Sequence, residues 1–381
     1  MQRLFPLIAL LLCTMATTIS AKPVYTDVFV SGEEGYHTFR IPAITTTHAG
    51  TVLAFAEGRA TRGDHAKNDI VLKRSEDGGR TWAPIQIVAE DGRNSLNNPC
   101  VLALRGSDRV LLMFQHYPAR SGGERGVDPG VKGKNICRNI LMYSDDQGKT
   151  WSEWEDITAQ SKRPTHVTSI ASGPGNGIQL RHGPHAGRII FPFNQGPFKD
   201  WRVYAVYSDE EGKTWSYGDI APNEGKGLGN EVLMAELSDG RVRLNSRSYE
   251  GNRLRKTAVS KDGGATWSPL VDVPELTEPQ CNSGFFRFSD TADNEKNALI
   301  YSGPISQKSR MDGYLHASYD DGETWTARRE IEPGRFAYSA LTRLPNGTIG
   351  CLYETGIKDS SERIVLVECT LDWLEQGKPD Q

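Results

Sequence analysis

The chain has 381 residues, a formal net charge of −4, 24% charged and 37% apolar residues, and 39 glycines. That balance excludes a disordered polymer, and 44 basic against 48 acidic residues leave no concentrated basic surface for nucleic acid. The length allows two or three ordinary domains, but all-β folds of this size are commonly one.

The first element in chain order is "MQRLFPLIALLLCTMATTISAKP". It has one early arginine, an apolar run from Leu4 to Ala16 and small residues ending at Ala21. It reads as a secretory signal peptide over residues 1–21, because the apolar run is too short to span a bilayer comfortably. The expectation is an exported chain, secreted or periplasmic, with no membrane span after cleavage and one domain over residues 22–381. Cys13 falls in the leader. Cys100, Cys137, Cys281, Cys351 and Cys369 remain, an odd and scattered set that suggests neither a metal knuckle nor a disulfide framework, and they read as small buried hydrophobes.

Strand signals dominate the rest. "FRIPA" (39–43) opens the first convincing apolar segment and contains a conflict. Pro42 cannot donate to a ladder, and Arg40 is of a type seldom buried unless paired. Further on, one octamer recurs: "SEDGGRTW" (75–82), "SDDQGKTW" (144–151), "SDEEGKTW" (208–215), "SKDGGATW" (260–267) and "SYDDGETW" (318–325). The pattern is S-x-D-x-G-x-T-W, with Glu210 replacing Asp in the third copy. Ser and Asp close turns onto backbone N–H groups, Gly supplies a positive φ, and Trp packs beneath the turn while its N–H seeks a partner. The extra methylene of Glu210 predicts a looser third turn. Each copy follows an alternating segment, "DIVLKRS", "RNILMYS", "WRVYAVYS", "LRKTAVS" or "GYLHAS", of strand period. No segment of comparable strength has helical period. One strand–turn–strand unit per roughly 60 residues predicts a radial array of sheets: an all-β, six-bladed β-propeller of four-stranded antiparallel sheets, the closing blade built from both termini.

The octamer is the Asp-box, and the chain resembles the Asp-box exo-α-sialidases (neuraminidases), a bacterial and animal family of retaining glycoside hydrolases. The resemblance runs over roughly residues 25–375. Asp-boxes also occur in propellers that are not sialidases, so the five boxes bear on fold, and chemistry has to come from other residues. The resemblance implies that the boxes are structural and lie at the blade periphery.

Three arginines stand in contexts that ordinary surface arginines lack: Arg40 in "FRIP", Arg247 in "VRLNSRS" and Arg310 in "SQKSRMDG". They match the family's three-arginine cluster, which is implied to grip the carboxylate of sialic acid through paired, permanently charged hydrogen bonds. Glu354 in "GCLYE" matches the acid that braces the first arginine. In "FAEGRATRGDHAKND" Asp64 follows Arg59 by five residues, the family spacing. Asp64 is the implied general acid, with a raised pKa expected; its rival Asp69 abuts "IVLKRS" and fits a strand start better. Tyr338 in "FAYSALTRLPNG" matches the family nucleophile, a neutral phenol suited to an anomeric carbon that already bears a carboxylate. A phenol needs a base, and Glu231 in "GNEVLMAELSDG" matches it, whereas Glu236 precedes a turn and reads as a surface residue. Arg59 matches an arginine that touches ring hydroxyls, and Asn98 in "NNPC" an Asn or Asp position on the same side of the sugar. "FPFNQ" (191–195) is placed near the glycerol tail, without the paired tyrosines of some animal relatives. "NGT" (346–348) is a glycosylation sequon that reads better as a hairpin turn.

The implied function is a secreted monomeric exo-α-sialidase acting on sialylated glycoproteins, glycolipids and oligosaccharides, with retention through a tyrosyl intermediate and with no cofactor or metal. The same residues also suit transfer of sialic acid to another sugar or to the substrate's own hydroxyl. A non-catalytic glycan-binding propeller would tolerate loss of the tyrosine, its base or the acid.

Overall fold

The computed structural model describes residues 22–377, so the expected leader, residues 1–21, lies outside them. The first strand is β1 (Val24–Val30). Then come β2 (Thr38–Thr46), β3 (Val52–Arg59), β4 (Asn68–Ser75) and β5 (Gln86–Ala89), followed by β6 (Ser95–Ala103), β7 (Val110–Tyr117), β8 (Arg138–Ser144) and β9 (Glu155–Asp156). The next group is β10 (Ile170–Ser172), β11 (Gly175–Asn176), β12 (Ile178–Gln179), β13 (Ile189–Gln195), β14 (Arg202–Ser208) and β15 (Ser216–Tyr217). After it come β16 (Leu228–Glu236), β17 (Val242–Tyr249), β18 (Leu254–Ser260) and β19 (Val271–Thr277). The last groups are β20 (Gly284–Ser289), β21 (Ala298–Pro304), β22 (Met311–Ser318) and β23 (Ala327–Arg335), then β24 (Ser339–Arg343), β25 (Ile349–Thr355) and β26 (Arg363–Cys369). No described helix is long and apolar enough to cross a membrane.

Apart from β11, which pairs in parallel with β6, the strands within each group run antiparallel, and β1 pairs with β26, so both ends of the described chain share one sheet. The alternating apolar residues of successive meanders face each other. One buried cluster joins the closing sheet to β2–β4, and others join β2–β5 to β6–β9 and β6–β9 to the β10–β15 sheet. Further clusters lead on through β16–β18 and β20–β21, and the last returns to the closing sheet. The arrangement is propeller-like and all-β. The expected six separate four-stranded sheets are not what the hydrogen bonds define. There are three four-stranded sheets, one of five strands and one of nine. The nine-stranded sheet arises because β6 takes over the edge of β4 where β5 stops, through a parallel pair between Asn68 and Ser95.

Three first strands carry a one-residue bulge near their starts: β2 between Arg40 and Ala43, β6 between Asn97 and Cys100, and β16 between Gly229 and Val232. In two of them the residue before a proline takes a left-handed conformation, Ile41 at φ 60° and Asn98 at φ 56°. A bulge re-aims side chains and breaks the ladder locally. Pro42 and Pro99 therefore occupy places where no ladder N–H is required.

The octamers form compact turns at the outer ends of the ladders. In the first, Ser75 donates to Asp77 (2.8 Å) and accepts from the Gly79 N–H (2.8 Å). Asp77 also accepts from the N–H and hydroxyl of Thr81 (2.9 and 2.6 Å). The second, fourth and fifth copies repeat these bonds. In the third, Glu210 keeps only the Thr214 hydroxyl (2.7 Å), as its extra length predicts. The tryptophans differ from expectation: the indole N–H groups of Trp82, Trp151, Trp215, Trp267 and Trp325 are buried without an acceptor among the described residues. They contribute apolar area, with Trp151 and Trp215 set edge-on against Phe55 and Phe191. The sequon is a turn between β24 and β25, closed by the Gly347 N–H on Leu344 O (2.9 Å). The five described cysteines are buried and free.

Glu210→Asp restores the missing bonds of the third turn. It should raise the unfolding free energy by about 1 kcal/mol, read as a higher urea midpoint with unchanged slope; an unmoved midpoint would show that the turn bonds carry no net stability.

Candidate active site

The starts of the first strands converge on a cleft of about 270 Å³. Its walls include Arg40 from β2, Asn98 from β6, Glu231 from β16, Arg247 from β17, and Arg310 and Tyr338 from the residues just before β22 and β24. Glu57, Arg59 and Asp64 complete one side. Arg40, Arg59, Asp64, Asn98, Glu231, Arg247, Arg310 and Tyr338 are thus all here, and Glu354 lies directly behind Arg40.

Tyr338 is the centre. Its hydroxyl donates to Glu231 and accepts from Arg247 Nη1 (3.0 Å), which also pairs with Glu231 (2.7 Å). The guanidinium carbons of Arg40 and Arg310 lie 5.6 and 5.1 Å from the ring centroid. Burial and the charge of Glu231 push the phenol well above its usual range, against the opposing pull of Arg247 and Arg310.

Arg40 is held from behind by Glu354. Its Nε donates to Glu354 Oε1 (2.7 Å), and the same oxygen accepts the Ile41 N–H (2.7 Å). The other oxygen accepts the Tyr338 N–H (3.3 Å). Burial alone would lower the Arg40 pKa, but the Glu354 charge raises it. One carboxylate thus fixes an arginine, the strained bulge beside it and the backbone of the tyrosine.

Glu57 repeats the device, and sequence reasoning missed it. It is fully buried, binds Arg59 (2.8 Å to Nε) through one oxygen and accepts the Asn98 N–H (2.7 Å) through the other. The signal was present in "FAEGR": an acid two residues before an arginine on a strand puts both on one face. Burial raises the Glu57 pKa despite Arg59.

Arg59 Nη1 also donates to Asp64 (2.7 Å). The backbone oxygen of Asp64 is pinned by Asn68 and Asn97 (2.7 and 2.8 Å), while its side chain is 75% exposed. This corrects the expected raised pKa. Burial pushes Asp64 up, but Arg59 outweighs it and the net shift is downward in the open cleft. Asp69 instead sits at the start of β4, accepting from the Tyr36 hydroxyl (2.9 Å), as a strand-start residue should.

Two further groups come from loops with no sequence signal beyond glycine richness. Glu124 lines the cleft, and burial together with the Glu231 charge pushes its carboxyl up to about 7. His65 lies against Tyr117 at 4.6 Å, and its Nε2 accepts the Glu124 N–H (3.4 Å). The expected "FPFNQ" wall is only partly present. Phe191 and Phe193 are core residues, and the cleft instead meets Asn194, Phe198 and Trp201. Glu236 is likewise not a surface residue. It is buried at the other end of β16, taking the N–H groups of Arg181 and His182 (2.8 Å each at closest) beside a separate cavity. Among the described residues no His, Cys, Asp and Glu cluster suits a metal ion.

An all-β ring whose strands gather arginines, acids and the buried Tyr338 into a single cleft defines a class, and residues 50–351 match the BNR repeat-like domain. The chain belongs to that family, and the relatives it matches are sialidases. It is 39% identical to the Micromonospora viridifaciens sialidase over 352 residues, which are 88% of this chain and 53% of that protein. It is 28% identical to the Bacteroides fragilis sialidase, covering 86% of this chain and 62% of that one. The chain thus spans between half and two thirds of the length of these relatives. Among solved structures, a Hadza microbial sialidase superposes with a TM-score of 0.78 at 27% identity, over 90% of this chain and 68% of that one.

Glu354→Ala leaves Arg40 without its partner and two N–H groups unsatisfied. It should cost about 3–5 kcal/mol, measured as a fall in the thermal midpoint; a loss under 1 kcal/mol would show that the ion pair is not what holds the bulge.

Proposed function

We propose that the cleft is the active site of an exo-α-sialidase that releases terminal sialic acid with retention. The ring is read as six blades, the nine-stranded sheet counting as two (β2–β5, and β6–β9 with β11 added on β6), with the octamers as structural Asp-boxes. Residues 22–381 are read as one domain that follows a cleaved export signal. The observation that carries the reading is the approach of Arg40, Arg247 and Arg310 to Tyr338, whose hydroxyl already rests on Glu231.

The three guanidinium groups take the substrate carboxylate, a planar charge-assisted grip that lysine would not reproduce. Arg59 and Asn98 face the ring hydroxyls. Asp64 gives its proton to the glycosidic oxygen as the bond from the anomeric carbon breaks. Tyr338 Oη bonds to that carbon on the opposite face and passes its proton to Glu231. Because burial resists a free phenolate, the proton leaves as attack proceeds. Water then adds to the anomeric carbon, giving one proton to Asp64 while the bond to Tyr338 breaks and Glu231 returns the phenolic proton. Two inversions leave the α-anomer. Asp64 is ionised in the open cleft. A bound leaving group covers its exposed carboxyl, and that desolvation moves its pKa upward toward the value a general acid needs.

A fluorogenic α-sialoside tests the reading. Wild type should turn it over with the α-anomer as first product by proton NMR. Tyr338→Phe should abolish turnover, and Asp64→Asn should reduce it about 10²- to 10⁴-fold. Undiminished turnover in Tyr338→Phe would sink the nucleophile assignment. The pH profile gives a separate check. Glu124 is neutral below about 7 and above it adds a negative charge facing an anionic substrate. kcat/KM should therefore fall as pH rises through about 7, and Glu124→Gln should remove that limb.

A further inference from the structure

We propose that Glu278 is a positioning residue that sets two of the three arginines, Arg247 and Arg310, through the backbone, without touching either. The inference rests on the reading of the cleft as a carboxylate-binding sialidase site.

Glu278 follows β19 and is fully buried. One oxygen accepts the Ser248 N–H (2.9 Å), and Ser248 is the residue after Arg247. The other accepts the Cys281 N–H (2.8 Å). That second bond closes a turn around Gln280, which is left-handed at φ 62°. The Gln280 carbonyl so presented accepts from Arg310 Nη2 (3.1 Å), a guanidinium with no carboxylate within 4 Å among the described ion pairs. The two arginines are thus tied to opposite oxygens of one carboxylate, each through a single intervening backbone unit.

The ladder explains why a carboxylate is needed there. On β17 the pairing with β18 ends at Ser246, so the Ser248 N–H has no strand partner. In earlier units the residue opposite the last pair before the bulge reaches across to the next first strand. Glu57, opposite Arg40, takes the Asn98 N–H, and Gln115, opposite Asn97, takes the Ser172 N–H (3.1 Å). At the β16 bulge this register position, opposite Gly229, is Ser248. Its side chain is too short to cross, and its buried hydroxyl has no partner among the described residues. Glu278 supplies the missing crossing from outside the ladder, linking β17 to the segment that leads into β20.

Arg310 has this link as its hydrogen bond, whereas Arg247 is also held by Glu231 and Tyr338. Tyr338 and Glu231 keep their mutual bond and Asp64 its own partners, so loss of the link falls first on the carboxylate grip. A grip common to ground and transition states moves KM, whereas loss of chemistry moves kcat. Glu278→Gln keeps the shape but offers an NH₂ where one N–H needs an acceptor. It should raise KM for an aryl α-sialoside about tenfold while kcat changes less than about threefold, and the crystal structure of the variant should have the Gln280 carbonyl displaced from Arg310. Glu278→Asp, which keeps the charge on a shorter stem, should fall between the two, and serves alone if the Gln variant does not fold. Ile300→Val, a buried core change, provides a destabilised control that should keep the wild-type KM. An unchanged KM, a parallel loss of kcat, or a KM rise matched by the control would overturn the inference. If wild type does not cleave the sialoside, the sialidase reading fails. The positioning claim is then decided by the variant structure alone, and a retained Gln280–Arg310 contact would overturn it.

Discussion

The cleft depends on one electrostatic constraint: several permanently charged guanidinium groups must be held close together in a buried place. Their repulsion is offset by carboxylates placed behind them, each also accepting a backbone N–H. Glu354 joins Arg40 to the Ile41 N–H, and Glu57 joins Arg59 to the Asn98 N–H. A carboxylate whose oxygens have fixed N–H partners is held in place, so the arginine it binds is fixed as well. Each of these acids also reaches from one meander to the next, so the bonds that build the site join neighbouring meanders.

This arrangement divides the cleft into two electrostatic halves. Around Tyr338 two of the three arginines are paired with carboxylates inside the protein, Arg247 with Glu231 and Arg40 with Glu354, and Arg310 rests on the Gln280 carbonyl. Around Asp64 the partner is shared, because Arg59 serves both Glu57 and Asp64. The exposed member of that trio is Asp64, and it is the one whose environment changes when the cleft fills. The tyrosine half is preorganised and the acid half is adjustable, which suits the proposed roles of Tyr338 as an aimed nucleophile and Asp64 as an acid that changes protonation state within one cycle.

Much of this was legible in the sequence. The octamers announce their turns because each uses its own local hydrogen bonds, and even the weaker third copy follows from one methylene. The arginines, Tyr338, Glu231 and Glu354 sit in short local motifs that survive translation into space. What was not legible depends on partners distant in the chain. Glu236 looks like a surface acid beside "LSDG" because nothing local reveals that Arg181 and His182 bring their N–H groups to it. Glu57 was hidden for a similar reason, since half of its role is a bond to Asn98 from another meander. The downward shift of Asp64 could not be read from a motif that names an acid without its neighbours. The sheet count failed on a single parallel pair, a contact with no sequence signature.

"FRIPA" gathers these points. A β-branched residue at positive φ is a genuine outlier, and one before a proline is disfavoured again; such a conformation costs about 1–3 kcal/mol. Ile41 adopts it because the bulge turns Arg40 toward the cleft, and Pro42 fits because the interrupted ladder asks for no N–H there. The cost is met by a charge-assisted hydrogen bond from the Ile41 N–H to Glu354 Oε1, a bond that forms only when the last sheet has closed against β2. The strain is therefore tolerable only in the completed ring, and the arginine takes its working position only there. Asn98 before Pro99, held by Glu57, repeats the logic one meander later, so the bonds that join neighbouring meanders are also the bonds that assemble the site.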